Sequence, residues 1–257
     1  MMTTVEIANR ILEAYKTGTP TDPVRAEVSG LAAAYAVQRA TYDTWVKTGR
    51  VPIGRKIGLT SKAVQEQLGV HEPDYGALFN DMILEDGAHI EPRAVLQPRV
   101  EPEIAFVLKT DLAGEDLNAE QVVTATDYVL PAVEVCGSRI KNWNIRFEDT
   151  VADNASSGLV VLGRQRWKPI LPELANLQVQ VRVDGSVSAE GRGAACLGNP
   201  ANAVAWLAGA LTRLGDRLRA GDIVMSGAMA KMVTAEPGTH FEADFGSFGA
   251  VSVHFDR

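Results

Sequence analysis

Two carboxylates that stand two residues apart interrupt an apolar stretch of the sequence, RVEPEIAFVL. Side chains two apart on a β-strand point to the same face, so Glu101 and Glu103 share one face of the strand that this stretch predicts. A charge buried on such a face needs a partner. An edge strand with a solvated polar face is the alternative, and the apolar residues IAFVL that follow weaken it.

A third carboxylate, Glu134, lies in a second apolar run, VLPAVEV, where a charge is equally out of place. Oxygen atoms are the ligands that a hard divalent cation such as Mg²⁺ or Mn²⁺ prefers. A bound cation would neutralise charges that burial alone would penalise. The three carboxylates on apolar strands therefore suit a site for such a cation.

Lys56 is a cation among the apolar strand residues of GRKIGLT. A buried lysine near a metal site can have its pKa lowered until it exchanges protons near neutrality, or it can stay cationic and hold an anion. An edge-strand lysine whose charged end reaches solvent is the alternative. Asp74 lies in HEPDYGALF between a proline and a glycine, where a loop is expected and turn chemistry is the simpler role.

Two polar segments could line a pocket. TVADNASSG suits either a helix cap or a polar binding loop through Asp153, Asn154, Ser156 and Ser157. MSGA ends a predicted strand in small residues, so the backbone N–H groups of Ser226 and Gly227 could face a carboxylate.

Other kinds of site lack support in the sequence. The four histidines have no HxxxH or comparable spacing, which argues against an imidazole zinc site: His71, His89, His240 and His254. Cys136 and Cys196 form no CxxC motif, so buried unreactive thiols are expected. The sequence has no GxxxxGK[ST], no GxGxxG after a strand and no GxSxG, so nucleotide-dependent and α/β-hydrolase functions lose their usual support.

Composition narrows the class further. The 257 residues are 46% hydrophobic and 22% charged, as in an ordinary globular protein with a sizeable core. The formal net charge of -7 argues against a surface for nucleic acid or anionic membrane, since both need concentrated positive charge. The start of the chain lacks the pattern of a signal peptide, and the apolar runs fall short of the roughly 20 residues of a membrane span. A cytoplasmic location is expected.

The elements that must position these residues differ along the chain. Apolar spacing of three and four predicts helices over residues 3–16 and 29–48, so residues 1–50 form a helical N-terminal part that packs on the body. The β-rich body covers residues 51–257, and Asp184 and Gly185 predict a hairpin turn. Strands are predicted over 53–59, 100–108, 128–135, 159–162, 177–183, 223–225, 241–245 and 250–255, and further helices over 62–68, 119–125 and 201–214.

These predicted helices are not regularly interleaved with the strands. That order favours a mixed α+β fold with a largely antiparallel, barrel-like sheet over a doubly wound one. Asn199 is the expected cap of the last helix, with Pro200 at its first position.

Several long segments resemble one family. GRKIGLTSKAVQEQLGV, PDYGALF, LQPRVEPEIAFVL, LPAVEVCGSRI and DTVADNASSG occur in this order, and the likeness runs from about Gly30 to the C-terminus. They resemble the 2-keto-4-pentenoate hydratases (2-hydroxypenta-2,4-dienoate hydratases) of catechol meta-cleavage pathways. That group belongs with the 4-oxalocrotonate decarboxylases in the fumarylacetoacetate hydrolase superfamily.

The resemblance implies a fold, a cofactor and an activity. It implies a distorted barrel-like core and a divalent metal, Mg²⁺ or Mn²⁺, held by Glu101, Glu103 and Glu134. It places the family's active-site lysine at Lys56, its pocket aspartate at Asp74 and a pocket serine at Ser156, with Ser226 and Gly227 as substrate- or water-positioning groups. The implied reaction is hydration of a 2-hydroxydienoate to a 4-hydroxy-2-oxo acid. Homo-oligomers, commonly pentamers or decamers, and a complex with a cognate decarboxylase are also implied.

The motifs leave a rival activity open. CGSRI and TVADNASSG look like the hydratases, whereas VEPEIAF also occurs in the decarboxylases. The segment GAMAKMVTAEPG departs from the hydratase pattern, and Lys231 in it could bind the second carboxylate of a decarboxylase substrate or be solvent-exposed. Hydratase activity is the favoured interpretation, ahead of 2-oxo-3-hexenedioate decarboxylase activity. C–C bond hydrolysis of an acylpyruvate and a non-catalytic partner subunit are weaker alternatives.

Overall fold

Two helices form the start of the chain in the computed structural model, which describes residues 2–61, 65–66 and 70–257. Helix α1 spans Thr4–Thr17 and begins with a capping box, in which Thr3 and Glu6 bond each other's backbone N–H groups. It ends at Gly18, whose φ of 66° is the left-handed conformation that favours glycine. Helix α2 spans Leu31–Lys47. Both predicted helices are confirmed to within two residues at each end.

These helices are joined to the rest of the chain by apolar packing and by a buried carboxylate. Ile7 and Ile11 of α1 and Val37 of α2 share an apolar cluster with Val151. The Asp149 carboxylate accepts the main-chain N–H groups of residues 24 and 25 at 2.8 and 3.0 Å. A boundary at residue 50 stays a prediction, since the contacts cross it.

The strands form two sheets. Their bounds are β1 Pro52–Gly58, β2 Asp74–Phe79, β3 Ile83–Glu85, β4 Ala88–Ile90, β5 Arg99–Leu108, β6 Thr126–Cys136, β7 Leu159–Leu162, β8 Gln178–Val183, β9 Ser186–Arg192, β10 Ile223–Met225, β11 Val233–Thr234, β12 His240–Asp244 and β13 Ala250–Phe255. The larger sheet has the order β2-β1-β10-β5-β6-β7-β3, with β11 beside β5, and the smaller has the order β4-β13-β12-β8-β9. Most pairings of the described strands are antiparallel, and the parallel ones are β1 with β10, β3 with β7 and β4 with β13.

The core lies where the larger sheet curls against the smaller one. Val133 and Val161 of the larger sheet pack in one cluster with Val181, Phe241 and Val253 of the smaller. Strand β6 is buried on both faces, which explains its nearly continuous apolar sequence. The mixed α+β fold with a largely antiparallel core is confirmed.

The remaining helices cover this core. Helix α3 (Ala119–Ala125) packs on α6 (Pro200–Arg213), and α4 (Phe147–Ala152) packs on α2. Asn199 caps α6 by accepting the N–H of residue 201 at 3.0 Å, with Pro200 first in the helix, as predicted. Helix α5 is Leu171–Asn176, and short 3-10 turns occupy Asn80–Met82, Lys141–Trp143, Asn154–Ser156, Gly193–Ala195 and Gly246–Phe248.

Some sequence predictions were incomplete or wrong. The helix predicted over residues 62–68 falls largely outside the described residues. Strand β2 was missed, and Asp74, predicted to lie in a loop, is its first residue. Antiparallel pairing with β1, which sets Asp74 opposite Gly58, outweighs the local turn preference of the flanking proline and glycine. The turn at Asp184 and Gly185 is confirmed: both residues have positive φ and join β8 to β9.

A search of the described residues for a helix long and apolar enough to cross a membrane found none.

Candidate active site and metal centre

The carboxylates meet because β5 and β6 are antiparallel neighbours in the larger sheet. Their register sets Glu101 directly opposite Glu134, and Glu103 is one step further along the same face of β5. Glu103 and Glu134 are fully buried. Like charges directly opposite each other destabilise a sheet, so this arrangement calls for a compensating cation.

Several of the carboxylate oxygens have no hydrogen-bond partner. One Glu103 oxygen accepts the N–H of Gly227 at 2.8 Å, while its other oxygen and both Glu134 oxygens are buried and make no hydrogen bond within the described part of the chain. The ligand atoms of Glu101, Glu134 and Cys136 lie within 4.8 Å of one another. Buried polar atoms are normally satisfied. Lys56 Nζ lies 3.3 Å from one Glu134 oxygen without a hydrogen bond, so the Glu103 and Glu134 oxygens still fit an electropositive ligand.

Burial changes the protonation of this cluster. It raises the pKa of Glu101 to about 7, with Glu134 adding to the effect. Burial and the neighbouring carboxylates raise the pKa of Glu103 well above its usual range, and burial likewise raises the pKa of Glu134. Without a cation, these side chains therefore retain protons at pH values where exposed glutamates are ionised.

The residues fit a hard divalent cation. Carboxylate oxygens from two adjacent strands converge there, and the unpartnered oxygens are available as ligands. The Cys136 thiol lies beside them, 3.6 Å from a Glu101 oxygen, and burial raises its pKa well above the usual range. Hard divalent cations prefer oxygen to sulfur, so the carboxylate oxygens are the candidate ligands.

Metal affinity should depend on pH in a defined direction. Because a carboxylate must lose its proton to bind a cation, we expect the Mg²⁺ affinity to fall as the pH drops through and below the pKa of Glu101, about 7. The expected slope is about tenfold or more per pH unit. Isothermal titration calorimetry at pH 5.5, 6.5, 7.5 and 8.5 would measure it. An affinity that is constant from pH 5.5 to 7.5 would contradict the raised pKa values.

Lys56 reaches this cluster from β1, which lies two strands from β5 in the sheet. Its Nζ atom lies 3.3 Å from a Glu134 oxygen and donates to the Ala155 carbonyl at 2.8 Å. Burial opposes the charged form, but Glu134, helped by Cys136, Asp74 and Glu101, outweighs it and raises the pKa of Lys56. Of the two sequence-based alternatives, the structure thus favours the cation, and it excludes a lysine end in solvent.

Two glycines make room beside Lys56. A Cβ atom on Gly58 would overlap the Asp74 carboxylate, and one on Gly76 would overlap the Asn154 carbonyl. Gly58 and Gly76 lie opposite Asp74 and Lys56 in the β1–β2 pairing, so all four positions share one face. The absence of side chains there lets the Asp74 carboxylate and the turn at Asn154 approach the lysine.

Asp74 and Ser156 are linked through a threonine. The Thr150 hydroxyl lies 3.1 Å from an Asp74 oxygen, to which it donates, and 3.2 Å from the Ser156 hydroxyl. With its only proton given to Asp74, Thr150 can accept one from Ser156, whose lone pairs then remain free. Burial raises the pKa of Asp74, against the opposing effects of Lys56 and Thr150.

The turn that carries Ser156 has an unusual backbone. Asn154, Ala155 and Ser156 have φ values of 53°, 51° and 53°, a left-handed conformation that costs energy for residues other than glycine. Asn154 fixes it to β2 by accepting the N–H of Ala77 at 2.7 Å and donating to its carbonyl at 2.9 Å. The sequence left a cap or a binding loop open, and the structure shows a clamped turn that aims the Ala155 carbonyl at Lys56.

A buried ion pair holds the other end of this turn. Arg139 is 2% exposed and donates to Asp153 at 2.5 Å and to the Ser157 carbonyl at 2.9 Å. Its guanidinium also lies 4.2 Å from the ring centre of Tyr15 in α1. The N-terminal helix therefore contacts the residue that anchors the turn.

Replacing Arg139 with methionine is expected to destabilise the protein by about 3–5 kcal/mol, because it leaves the Asp153 charge buried without a partner. Arg39→Met is the matched control, since Arg39 forms an exposed ion pair with Asp43 at 2.8 Å and should change stability by under about 0.5 kcal/mol. Chemical denaturation would measure both. Equal effects of the two substitutions would contradict the role of Arg139.

Ser226 and Gly227 lie at the carboxylates, but their N–H groups are engaged. Ser226 donates to the Ile104 carbonyl at 3.1 Å, and Gly227 donates to Glu103. These N–H groups thus bind the protein itself, and a role of Ser226 and Gly227 in substrate binding stays a prediction. The Ser226 hydroxyl is fully buried and has no hydrogen-bond partner among the described residues.

A cavity of about 720 Å³ borders the glutamate cluster at Glu101. Lys56, Asp74, Glu101 and Ser156 line it, and the exposed Lys231 lies at its border. A larger cavity of about 970 Å³ is bordered by Trp167 and Phe248 and lies outside the glutamate cluster, so it does not replace the site.

The cysteines and histidines behave mostly as expected. Cys136, in the site, and Cys196 are buried and free, and His71 is exposed. The other three histidines stack on adjacent strands of the smaller sheet, with ring centres 4.6 and 4.3 Å apart. Sequence spacing gave no sign of that stack.

Sequence reasoning missed three residues that shape the site: Thr150, Arg139 and Cys136 as a neighbour of Glu101. Each lies in a segment that carries the family resemblance, but no spacing rule marks it. The Thr150 hydroxyl and the Arg139 guanidinium act only through contacts that folding creates.

The chain is similar to known proteins over almost its whole length. The sequence model of the fumarylacetoacetate (FAA) hydrolase C-terminal family matches residues 54–255. A 2-keto-4-pentenoate hydratase of Paraburkholderia xenovorans (strain LB400) is 46% identical, covering 98% of this chain and 94% of the relative. A 2-hydroxyhexa-2,4-dienoate hydratase of Comamonas testosteroni is 44% identical over 81% of this chain and 80% of its own. The structure of 4-oxalocrotonate decarboxylase from Pseudomonas putida G7, complexed with magnesium and adipate, superposes with a TM-score of 0.94 and 32% identity, covering 99% of both chains.

Proposed function

This chain belongs to the fumarylacetoacetate hydrolase family, and we propose that it is a metal-dependent hydratase of 2-hydroxypenta-2,4-dienoate or a close homologue. Its product would be 4-hydroxy-2-oxopentanoate, a step in meta-cleavage degradation of aromatic compounds. The observation that carries the proposal is the buried glutamate cluster with free oxygens beside Lys56, in a chain whose full-length relatives are hydratases.

Glu101, Glu103 and Glu134 would hold the metal, for which we propose Mg²⁺ or Mn²⁺. Both are hard cations that suit oxygen ligands, and the similar decarboxylase structure contains magnesium. When bound, such a cation supplies a Lewis acid that stabilises negative charge on the 2-oxygen and carboxylate of the substrate.

The reaction delivers two protons to carbon and removes two, one from the 2-hydroxyl group and one from water. Loss of the 2-hydroxyl proton and protonation at C5 convert the dienoate to 2-oxopent-3-enoate. Water then adds at C4, its second proton is removed and C3 is protonated, so the net change is the gain of one water. Lys56, a buried cation facing the cavity, is the proposed proton donor to carbon.

Ser156 and Asp74 are the proposed water-handling groups. Because Thr150 donates to Asp74 and accepts from Ser156, the Ser156 oxygen can accept a hydrogen bond from a water in the cavity. Asp74, whose pKa burial raises, would exchange a proton nearer to neutrality than an exposed aspartate. The Ser226 hydroxyl is the remaining candidate for a ligand contact.

Decarboxylation is the second candidate, because the chain superposes so closely on 4-oxalocrotonate decarboxylase. A 2-oxo-3-hexenedioate substrate would use the same metal and the same enolate chemistry but would release CO₂. Lys231 at the border of the cavity is placed where it could meet a second carboxylate.

An ultraviolet assay with product analysis tests the two functions. Freshly generated 2-hydroxypenta-2,4-dienoate is mixed with the protein in the presence of Mg²⁺, Mn²⁺ or EDTA, and its ultraviolet absorbance is followed. The mass of the product is determined by mass spectrometry. Metal-dependent loss of the dienoate with a gain of one water is the expected result. An untouched dienoate, with CO₂ release from 2-oxo-3-hexenedioate, would move the protein to the decarboxylases.

The assembly stays a proposal. A homo-oligomer, a pentamer or decamer, and a complex with a cognate decarboxylase follow from the resemblance, as does a cytoplasmic location. Light scattering of the purified protein, alone and with the decarboxylase, would measure the masses.

A further inference from the structure

Arg99 is a cation in the active-site cavity that the proposed mechanism does not use. It is the first residue of β5, two before Glu101 and four before Glu103, so its side chain leaves the strand on the face of the metal ligands. Arg99 lines the same cavity as Lys56 and Glu101. No carboxylate in the described part of the chain forms an ion pair with it.

The Arg99 guanidinium packs on an aromatic ring rather than pairing with an anion. It lies 4.4 Å from the ring centre of Trp143, and one of its nitrogens lies 3.8 Å from the sulfur of Met232, a weak acceptor. Stacking on an aromatic ring restricts the side chain. Apart from the contact with Met232, its donors form no hydrogen bond with the residues that the structure describes.

Trp143 is itself fixed in place. Its indole N–H donates to the Gln97 carbonyl at 2.9 Å, and the Gln97 side chain donates to the carbonyls of Ser138 and Ile140, both at 2.8 Å. Asn142 and Trp143 have φ values of 59° and 51°, a left-handed turn that Gln97 secures by accepting the Asn142 N–H at 2.7 Å. These hydrogen bonds and a strained backbone thus hold the flat indole ring of Trp143 under Arg99.

From this geometry we infer that Arg99 binds a carboxylate of the substrate. A planar guanidinium with free donors matches a carboxylate through two parallel hydrogen bonds. The inference rests on the proposed function, since it needs a 2-oxo or 2-hydroxydienoic acid in this cavity. The C1 carboxylate and a carboxylate at the far end of a longer substrate share this chemistry, and the experiment separates them.

The test is calorimetric binding of two unreactive probes, 2-oxopentanoate and 2-oxoadipate, in saturating Mg²⁺. Arg99→Met should weaken binding about 10- to 100-fold, the usual effect of losing a charged hydrogen bond. Weaker binding of both probes assigns the C1 carboxylate, whereas weaker binding of 2-oxoadipate alone assigns the far carboxylate. Arg99→Lys, which keeps the charge but loses the planar fork, should recover part of the affinity.

Arg166→Met is the matched control. The Arg166 guanidinium also lies 4.4 Å from an aromatic ring centre, that of Tyr128, but Arg166 is exposed outside the cavity. Thermal unfolding of each variant checks that it is folded. If Arg99→Met binds both probes as tightly as Arg166→Met does, the inference about Arg99 is overturned and the proposed function is unaffected. If the unmodified protein binds neither probe, the proposed function fails together with it.

Discussion

Glu103→Gln is expected to abolish tight Mg²⁺ binding and to lower kcat by about 1,000-fold or more, because Lewis-acid stabilisation contributes several kcal/mol to such reactions. Glutamine keeps the size of the side chain and an oxygen that can accept the Gly227 N–H, now at 2.8 Å from Glu103. What it removes is one of the negative charges that would hold the metal.

The same variant should change the pH dependence of stability in the metal-free protein. Burial raises the pKa of Glu103 well above its usual range, so the folded state holds this proton where the unfolded state has lost it. Stability therefore falls as the pH rises from about 4.3, the unfolded pKa, towards the raised folded value. Glutamine has no such proton, so the metal-free variant should lose less stability between pH 5 and 8.

Calorimetry, turnover and denaturation in EDTA at several pH values would measure these effects. Glu115→Gln is the matched control, because Glu115 is exposed and does not line the active-site cavity. Tight Mg²⁺ binding and ordinary turnover by Glu103→Gln would refute the assignment of Glu103 as a ligand.

Lys56→Met is the second substitution with a large expected effect, and it should separate proton transfer from metal binding. Removing a positioned acid or base typically lowers the rate about 100- to 10,000-fold, so we expect a fall in kcat of that size. Metal binding should persist or become tighter, because Lys56 lies 3.3 Å from Glu134 and competes with the cation for that carboxylate. Loss of activity with retained metal affinity is the opposite of the pattern expected for a ligand variant.

Lys168→Met is the control for Lys56→Met, since Lys168 is an exposed lysine that pairs with Asp127 at 3.0 Å. Steady-state kinetics and Mg²⁺ calorimetry on both variants give the comparison. Turnover by Lys56→Met within tenfold of the unmodified protein would remove Lys56 from the reaction and leave Asp74 as the proton donor to examine.

Local sequence patterns predicted the features that depend only on residues close together in the chain. The capped helices α1 and α6, the hairpin turn at Asp184 and the alternate-residue spacing of Glu101 and Glu103 depend on neighbours within a few residues. The sequence therefore indicated the α+β class and the carboxylates. Strand β2 escaped because it is short and contains glycine, and its identity comes from pairing with β1.

The protonation states and hydrogen-bond partners of the charged and polar groups depend on residues that are distant in the chain. The charge of Lys56 depends on its contact with Glu134. The N–H of Gly227 is taken by Glu103, and the turn at Asn154 is held by its contact with Ala77. Residue types and spacing determined which chemistry this protein can perform. Only the tertiary structure decided protonation and hydrogen-bond partners, because the electric field and the burial at an atom are set by side chains that meet through folding.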